Sequence, residues 1–275
     1  MTVPLKFDHA VHRVDKPEQI PAELAAWGLH AVNGGKHEHL GTYNALTYFG
    51  LNYIEWFGIS DFDRLPPNRA TEPYGLVSTL AEDDYAYGLS RIAASTDRID
   101  ELAQQLAASG LEVTGPNDYS RRRPDGRLVE WKLLFAGKPG GGLPLPFFIQ
   151  WNDADDARRA ELTANGTIGA HPAGDVRLEY VAFAVRDLEQ SAGNWTDWLG
   201  LEAGEPVYNE RWRGQSRTLR LGDVSLVFVQ PDEEGPAREF LDRRGERPFA
   251  IGLDGAAGLG GERFEEFQGA RYQLK

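Results

Sequence analysis

Two histidines in one short segment form the clearest metal-binding or proton-transfer pattern of the chain. His37 and His39 flank Glu38 and follow the pair Gly34-Gly35 after one lysine. Imidazole is a common metal ligand and titrates near neutral pH, so either histidine is suited to bind a metal or to act as a general base. We take His39 as the candidate base. In an exposed loop a His-x-His sequence more often has neither role, and both interpretations stay open.

A run of three arginines is the second candidate. Arg121, Arg122 and Arg123 precede the turn sequence Pro-Asp-Gly at 124–126. A guanidinium group forms paired hydrogen bonds with a carboxylate or a phosphate, so Arg121 is a candidate for binding an anionic group of a substrate. A solvated hairpin is the commoner explanation of such a run.

Composition narrows the classes of partner. Of the 275 residues, 41% are hydrophobic and 26% charged, which is typical of a chain that folds around a core. The formal net charge is −13, and no basic segment offsets it, so nucleic acid and anionic membranes are not expected partners. The chain has no cysteine, which excludes disulfides, thiolate ligands and cysteine nucleophiles. We find no signal sequence or membrane-spanning run and expect a cytoplasmic protein.

The elements that must position these residues repeat in the order strand, helix, three strands. Strand-like residues 5–14 and 52–59 open and close the first copy, and residues 88–95 and 146–151 open and close the second. The closing strands contain a matching tetrapeptide, Tyr-Ile-Glu-Trp ending at Trp56 and Phe-Ile-Gln-Trp ending at Trp151. Such internal similarity indicates repeated βαβββ modules.

The C-terminal part contains a third copy and a shortened fourth one. Residues 153–175 include the charged run DADDARRAE and are predicted to be a linker. The predicted domains are therefore residues 1–152, with two modules, and residues 176–275. In the fourth copy, residues 262–267 are a candidate helix. We expect residues 177–275 to stabilise the protein without taking part in chemistry.

Five segments carry a resemblance to a known family. They are FDHAVHRV, GGKHEHLGTYNALTYF and NYIEWFGI in the first copy, and GPNDYSRRRPDGRLVEWKL and LPFFIQW in the second. Together they resemble the glyoxalase-like branch of the vicinal oxygen chelate superfamily, which includes glyoxalases, bleomycin-resistance proteins and extradiol dioxygenases. The resemblance implies an α+β fold in which paired βαβββ modules curl into a curved-sheet cup.

The resemblance also implies a metal site. Ligands in this superfamily come from the first and fourth strands of each module, which correspond here to His9, Glu55 and Gln150. The remaining position falls near Ser90, which is a poor ligand. An imidazole, a carboxylate and an amide suit one divalent ion of Mn, Fe, Co, Ni or Zn. The third copy offers Tyr180 in place of His9, so no second metal is expected.

Several other residues are expected to contact a small-molecule substrate in the cup. Glu55 and His39 are the candidates for catalysis. Asn44 is placed to direct its amide at a substrate oxygen, although a turn-stabilising asparagine is the alternative. Trp56 and Trp151, with Trp131, are expected to line the cup and to favour a ring-containing ligand; ordinary core packing is equally compatible. His12 is interpreted as a structural residue on the opposite strand face.

Three functions remain open from the sequence. The leading one is a metal-dependent enzyme of the lyase, isomerase or dioxygenase type that acts on an oxygenated small molecule. The second is a metal-free protein that binds an aromatic or antibiotic-like ligand, which the poor ligand at Ser90 favours. The third is a structural module completed by homodimerisation, since an incomplete fourth copy leaves a sheet edge to cover.

Overall fold

The protein consists of four strand-rich modules, numbered one to four along the chain. The computed structural model describes residues 2–37, 41–65, 72–122, 126–140 and 142–275. Module one contains β1 (Lys6–Arg13), α1 (Ile20–Ala25), β2 (Val32–His37), β3 (Thr42–Phe49) and β4 (Asn52–Ile59). After α2 (Leu76–Glu82), module two contains β5 (Gly88–Ser95), α3 (Ile99–Ala108), β6 (Glu112–Arg122), β7 (Leu128–Gly137) and β8 (Phe147–Trp151).

The C-terminal modules repeat this order less completely. After α4 (Asp155–Ala164), module three contains β9 (Arg177–Ala184), α5 (Leu188–Leu199), β10 (Glu202–Ala203), β11 (Val207–Asn209), β12 (Gly214–Leu221) and β13 (Val224–Pro231). After α6 (Pro236–Arg244), module four contains β14 (Arg247–Asp254), β15 (Arg263–Phe267) and β16 (Ala270–Leu274). No helix among the described residues is long and apolar enough to cross a membrane.

Modules one and two share one curled eight-stranded sheet. Its strand order is β2-β3-β4-β1-β5-β8-β7-β6. The first strand of each module lies parallel to the last strand of the same module, and the two first strands, β1 and β5, pair antiparallel at the centre. Modules three and four form a second sheet on the same plan, with β9 and β14 at its centre. The predicted α+β fold of paired βαβββ modules is confirmed.

The predicted helix at 262–267 is wrong, because these residues form a hairpin. Strand β15 pairs antiparallel with β16, with Arg263 opposite Leu274 and Phe267 opposite Ala270. The chain reverses at Gln268 and Gly269, which both have positive φ. Six residues are too few to form a stable helix on their own, whereas a hairpin also satisfies the edge of β16.

A single hydrophobic core joins the two sheets. It extends from Phe7 and Trp56 in module one to Phe183, Phe228 and Tyr272 in the C-terminal modules. Helix α4, in the segment predicted as a linker, also packs against the first sheet: Leu162 is buried beside Tyr48 and Tyr53, and the guanidinium of Arg158 lies 4.0 Å from the Trp151 ring centroid.

The concave face of the second sheet is filled by apolar side chains. Helix α6 inserts Phe240 and Leu241 into a cluster with Val229 and Phe249. Ala182 and Ala250 face each other at the centre of the sheet in the same cluster. This half of the molecule therefore has a packed interior where the first sheet has an open cavity.

His12 lies in the shared core and makes stability depend on pH. Its Nε2 donates to the carbonyl of Gln268 at 3.1 Å, and its Nδ1 accepts from the Tyr272 hydroxyl at 2.5 Å. Burial lowers the pKa of His12 to about 3. A histidine with this lowered pKa stabilises the fold above its unfolded pKa of about 6.5, and the contribution declines as pH falls from there.

We predict that acid unfolding is steeper in the wild type than in a His12→Gln variant. The unfolded chain takes up a proton on His12 below about pH 6.5, which the folded chain does not. The slope difference reaches up to about 1.4 kcal/mol per pH unit. Urea unfolding at several pH values between 4 and 7 measures this slope for each protein. Parallel pH profiles for the two proteins would contradict this assignment.

Candidate functional site

A cavity of about 600 Å³ opens on the concave face of the first sheet. One side is polar and comes from β1, β3 and β4, with His9, Asn44 and Glu55. The other side is apolar and comes mainly from module two; its rings and aliphatic side chains are Trp131, Leu133, Phe135, Phe147, Ile149 and Trp151. We call this cavity the cup. Its volume and its mixture of an apolar wall with a few polar groups are typical of small-molecule sites.

A bulge in β1 places the side chain of Asp8 against His9, which lines the cup. The pairing of β1 with β5 shifts register between Phe7 and His9, which leaves Asp8 as the extra residue. Asp8 Oδ1 lies 2.7 Å from His9 Nδ1, and Asp8 Oδ2 accepts from Trp151 Nε1 at 2.9 Å. Both Asp8 and His9 are 3% exposed, so the pair is held away from bulk water.

Asp8 fixes the tautomer of His9. Burial alone would raise the pKa of the Asp8 carboxyl, but the hydrogen bond and charge of His9, the charge of Arg158 and the Trp151 indole together lower it. An ionised carboxylate only accepts, so the proton between the two residues belongs to Nδ1 of His9. The other ring nitrogen, Nε2, is then free to accept a proton when the imidazole is neutral.

Glu55 faces His9 across the cup and is oriented by Asn44. Glu55 Oε2 lies 3.7 Å from His9 Nε2. Its Oε1 accepts from Asn44 Nδ2 at 2.6 Å, and Asn44 Oδ1 in turn accepts from the Gly35 amide at 2.9 Å. With His9 neutral, two hydrogen-bond acceptors face each other, so the gap favours a donor or a cation between them.

Comparison with known families identifies the chain. A model of the glyoxalase-like domain matches residues 7–199. The protein belongs to the glyoxalase-like domain family. The superfamily that the sequence resembles, the vicinal oxygen chelate superfamily, is thereby confirmed. A comparison with curated protein sequences finds no match.

Solved structures share the fold of this glyoxalase-like protein. A hypothetical protein from Staphylococcus aureus superposes with a TM-score of 0.81 at 22% identity, covering 98% of this chain and 99% of the other. A mutant 4-hydroxymandelate synthase from Streptomyces coelicolor gives 0.60 at 12% identity, covering 96% and 77%. A fusion of a xylose isomerase-like barrel with a 4-hydroxyphenylpyruvate dioxygenase gives 0.51 at 16% identity, covering 96% and 40%.

The structure brings several predicted site residues of the glyoxalase-like protein together. His9, Glu55, Asn44, Trp151 and Arg121 all line the cup. The amide of Asn44, expected to meet a substrate oxygen, is instead hydrogen-bonded to Glu55 and to the Gly35 amide. His39 and Glu38 lie outside the described residues.

Gln150 does not line the cup, because the strand register differs by one residue from the register that the sequence alignment predicts. His9 lies opposite Ala93 across the central strands, and the parallel pairs His9–Tyr53 and Ala93–Phe147 then make Ile149, rather than Gln150, the structural equivalent of Glu55. Gln150 instead accepts from the Ile99 amide at 2.9 Å, at the start of α3. The structure therefore does not bring Gln150 to the point where His9 and Glu55 meet.

Two further expectations shift for the same reason. Trp56 occupies the position equivalent to Gln150 and points away from the cup; it is 1% exposed and donates to Thr47 Oγ1 at 2.9 Å. The first-strand position of module two is Ala93 rather than Ser90. Adjacent residues of a strand point to opposite faces, so a shift of one residue moves each side chain across the sheet.

The described residues do not complete a metal site of the kind expected for the superfamily. His9 and Glu55 converge, but the two equivalent positions in module two are Ala93 and Ile149, which have no donor atom. No group of three histidine, aspartate or glutamate side chains able to hold an ion occurs among the described residues. A catalytic metal usually has three protein ligands, so we derive no chemical step through a metal.

Sequence reasoning missed Asp8, Tyr53 and Glu72. The Tyr53 ring stacks on His9 with a centroid distance of 4.4 Å, and Glu72, from the segment before α2, lines the cup and accepts from the Tyr119 hydroxyl. The Asp-His pair is visible in the sequence. Its significance depends on the bulge, because adjacent strand residues ordinarily face opposite sides of the sheet.

We predict that Gln150→Ala lowers stability but leaves ligand binding unchanged. The N-cap residue of α3, Arg98, makes no capping hydrogen bond from its side chain, and Gln150 accepts one of the free amides instead. Gln230 does the same for Leu188 at the start of α5, which makes Gln230→Ala a matched control. In each variant the free energy of unfolding, measured with urea, should fall by about 1 kcal/mol. Loss of cup binding in Gln150→Ala alone would contradict this role.

Proposed function

We propose that this protein is an enzyme that binds a ring-containing, oxygenated small molecule in the cup and transfers a proton to or from it with His9. The observation that carries the proposal is the Asp8–His9 pair facing Glu55 beside an aromatic wall. A site with a buried, oriented imidazole and a nearby carboxylate has the parts that general acid–base chemistry needs.

The apolar wall of the cup is the reason to propose a ligand that contains a planar ring. The Trp131 and Trp151 rings lie 5.9 Å apart, and the Phe147 ring contacts His9 edge-on at 5.3 Å. A planar ligand placed among these side chains buries its faces against aromatic carbon and leaves one edge toward His9 and Glu55. That edge is where an oxygen of the ligand is expected.

The polar side of the cup is the reason to propose proton transfer by His9. A hydroxyl group that enters between His9 Nε2 and Glu55 Oε2 donates to one of the two acceptors and relieves their mutual repulsion. His9 takes the proton at Nε2, and the Asp8 carboxylate stabilises the resulting imidazolium through Nδ1. The low exposure of both residues strengthens this interaction. These steps are compatible with isomerase or lyase chemistry and use only residues of this chain.

A metal-dependent enzyme is the second candidate. Its support is that His9 directs Nδ1 at a carboxylate, an arrangement that metal-binding histidines commonly have. The His9–Glu55 pair would supply two ligands, and Lewis-acid catalysis is what such an ion contributes when bound. The 4-hydroxymandelate synthase among the structural relatives supports a reaction on an oxygenated ring compound.

Elemental analysis combined with ligand titration tests both candidates. Protein purified without chelators is analysed for Mn, Fe, Co, Ni and Zn, and phenol and anisole are titrated by calorimetry. The acid–base proposal predicts less than stoichiometric metal and a preference for phenol, which donates a hydrogen bond, over anisole, which does not. One ion per chain that is lost in both His9→Ala and Glu55→Ala would establish the metal-dependent candidate instead.

A further inference from the structure

The guanidinium group of Arg121 contains a buried nitrogen for which the described chain provides no acceptor. Arg121 lines the cup and also a smaller cavity of about 380 Å³ beside it, formed between α4 and strands β2 and β7. Its Nε is buried and has no hydrogen-bond acceptor. A buried donor without an acceptor is unfavourable, and more so when it carries charge.

Two glycines of β2 make room for this arrangement. A Cβ atom on Gly35 would lie 2.4 Å from Nη1 of Arg121, and one on Gly34 would lie 2.0 Å from Oδ1 of Asn44. Any side chain at these positions would displace the guanidinium or the amide. The Gly34-Gly35 pair thus allows Arg121 to lie directly against the backbone at the side of the cup.

The neighbouring carboxylates are already engaged. Glu55 is bound by Asn44, and Glu72 accepts from Tyr119. Asp153 and Glu161, which line the adjoining cavity, both pair with Arg127 at 2.8 Å. The remaining acidic residues along these walls, Asp118 and Glu130, lie at exposed positions of β6 and β7.

The distance from Arg121 to the aromatic wall sets the size of a ligand that reaches both. Arg121 and Tyr119 share one face of β6, opposite Val129 and Trp131 of β7. Two residues along a strand span about 7 Å. A group that pairs with Arg121 therefore lies one or two bonds from a ring that packs on Trp131.

We infer that the ligand of the cup is an anionic ring compound whose carboxylate or phosphate pairs with Arg121. This inference rests on the proposed function and adds the substrate class. The ring lies on Trp131, the anionic group lies at Arg121 beside Gly35, and the oxygen on the reacting edge lies between His9 and Glu55. Glu55 repels the anionic group from the reacting end, which fixes the direction in which the ligand enters.

Matched acids and amides test the inference. Phenylacetate, phenylacetamide and phenyl phosphate are titrated by calorimetry into the wild type, Arg121→Gln, Gly35→Ala and Arg98→Gln. Arg98→Gln removes the same charge at an exposed position outside the cup, where Arg98 pairs with Glu101. The wild type and Arg98→Gln should prefer an anion over the amide by roughly 10-fold or more, because charge-assisted hydrogen bonds are the strong ones. Which anion binds better distinguishes carboxylate from phosphate.

The variants separate this inference from the proposed function. Arg121→Gln should abolish the preference for the anion over the amide, and Gly35→Ala should reduce the preference with the charge intact. Equal binding of acid and amide by the wild type, with the preference for phenol over anisole retained, would overturn the inference alone. Failure of every ring compound to bind would overturn the proposed function and the inference with it.

Discussion

Replacing His9 with alanine should weaken the binding of phenol by roughly 10-fold to 100-fold, the range expected when a hydrogen bond within a charged network is lost. The imidazole supplies the acceptor at Nε2, stacks on Tyr53 at 4.4 Å and completes the network with Asp8 and Glu55. Anisole should bind the variant and the wild type with similar affinity, because it donates no hydrogen bond. Calorimetric titration of both ligands measures the effect.

Asp8→Asn distinguishes an orienting carboxylate from one that only supports the fold. Asparagine retains the size of Asp8 but no longer carries the charge that favours a proton on Nδ1 of His9. The preference for phenol over anisole should fall, and the pH dependence of phenol binding should change. The free energy of unfolding should change less than the free energy of phenol binding. Unchanged pH dependence in Asp8→Asn, together with unchanged phenol binding in His9→Ala, would remove the acid–base assignment.

Replacing Asp83 with asparagine should destabilise the protein by about 3–5 kcal/mol, the typical cost of leaving a buried charge unpaired. Asp83 follows α2 and binds two arginines from the C-terminal part. Arg244 donates to it from Nε at 3.2 Å, and Arg247 Nη1 lies 3.1 Å away. The side chains of Asp83, Arg244 and Arg247 are 7%, 5% and 10% exposed, so water cannot replace the carboxylate.

Urea unfolding measures the effect, with Glu101→Gln as the control. Glu101 also pairs with an arginine, Arg98, but both side chains are exposed, and its substitution should change stability little. If Asp83→Asn were as stable as Glu101→Gln, the pairing of Asp83 with Arg244 and Arg247 would not stabilise the connection between the two sheets. Removal of residues 174–275 should then also be tested for solubility, because it exposes the shared hydrophobic core.

The fold was predictable because it depends on patterns that repeat. Strand-like segments, a helix that is followed by a glycine, and turn sequences recur in the same order in modules one and two, and the sheets follow from them. Module four was less predictable. In residues 262–267 the two apolar side chains, Phe264 and Phe267, lie three positions apart among charged ones, a spacing that fits a helix; pairing with β16 makes the segment a strand instead.

Only the part of the site that comes from module one was predictable from the sequence. The family resemblance indicates His9 and Glu55, and the structure brings them to 3.7 Å. The tetrapeptide similarity predicts that Gln150 is the module-two equivalent of Glu55, but the strand pairing is displaced by one residue from that alignment. Local similarity does not define register, which is set by pairing partners across the sheet. Asp8 could not be assigned from sequence for a related reason, since a bulge changes the face on which a residue lies.

A crystal structure of the protein soaked with phenol tests the central claim most directly. The proposal predicts the phenol ring between Trp131 and Phe147 and its hydroxyl oxygen within hydrogen-bond distance of His9 Nε2 or Glu55 Oε2. The same soak with the His9→Ala variant should show the ring with its oxygen displaced or no ligand. Phenol bound outside the cup, with the cup empty at saturating concentration, would contradict the claim that modules one and two form the ligand-binding site.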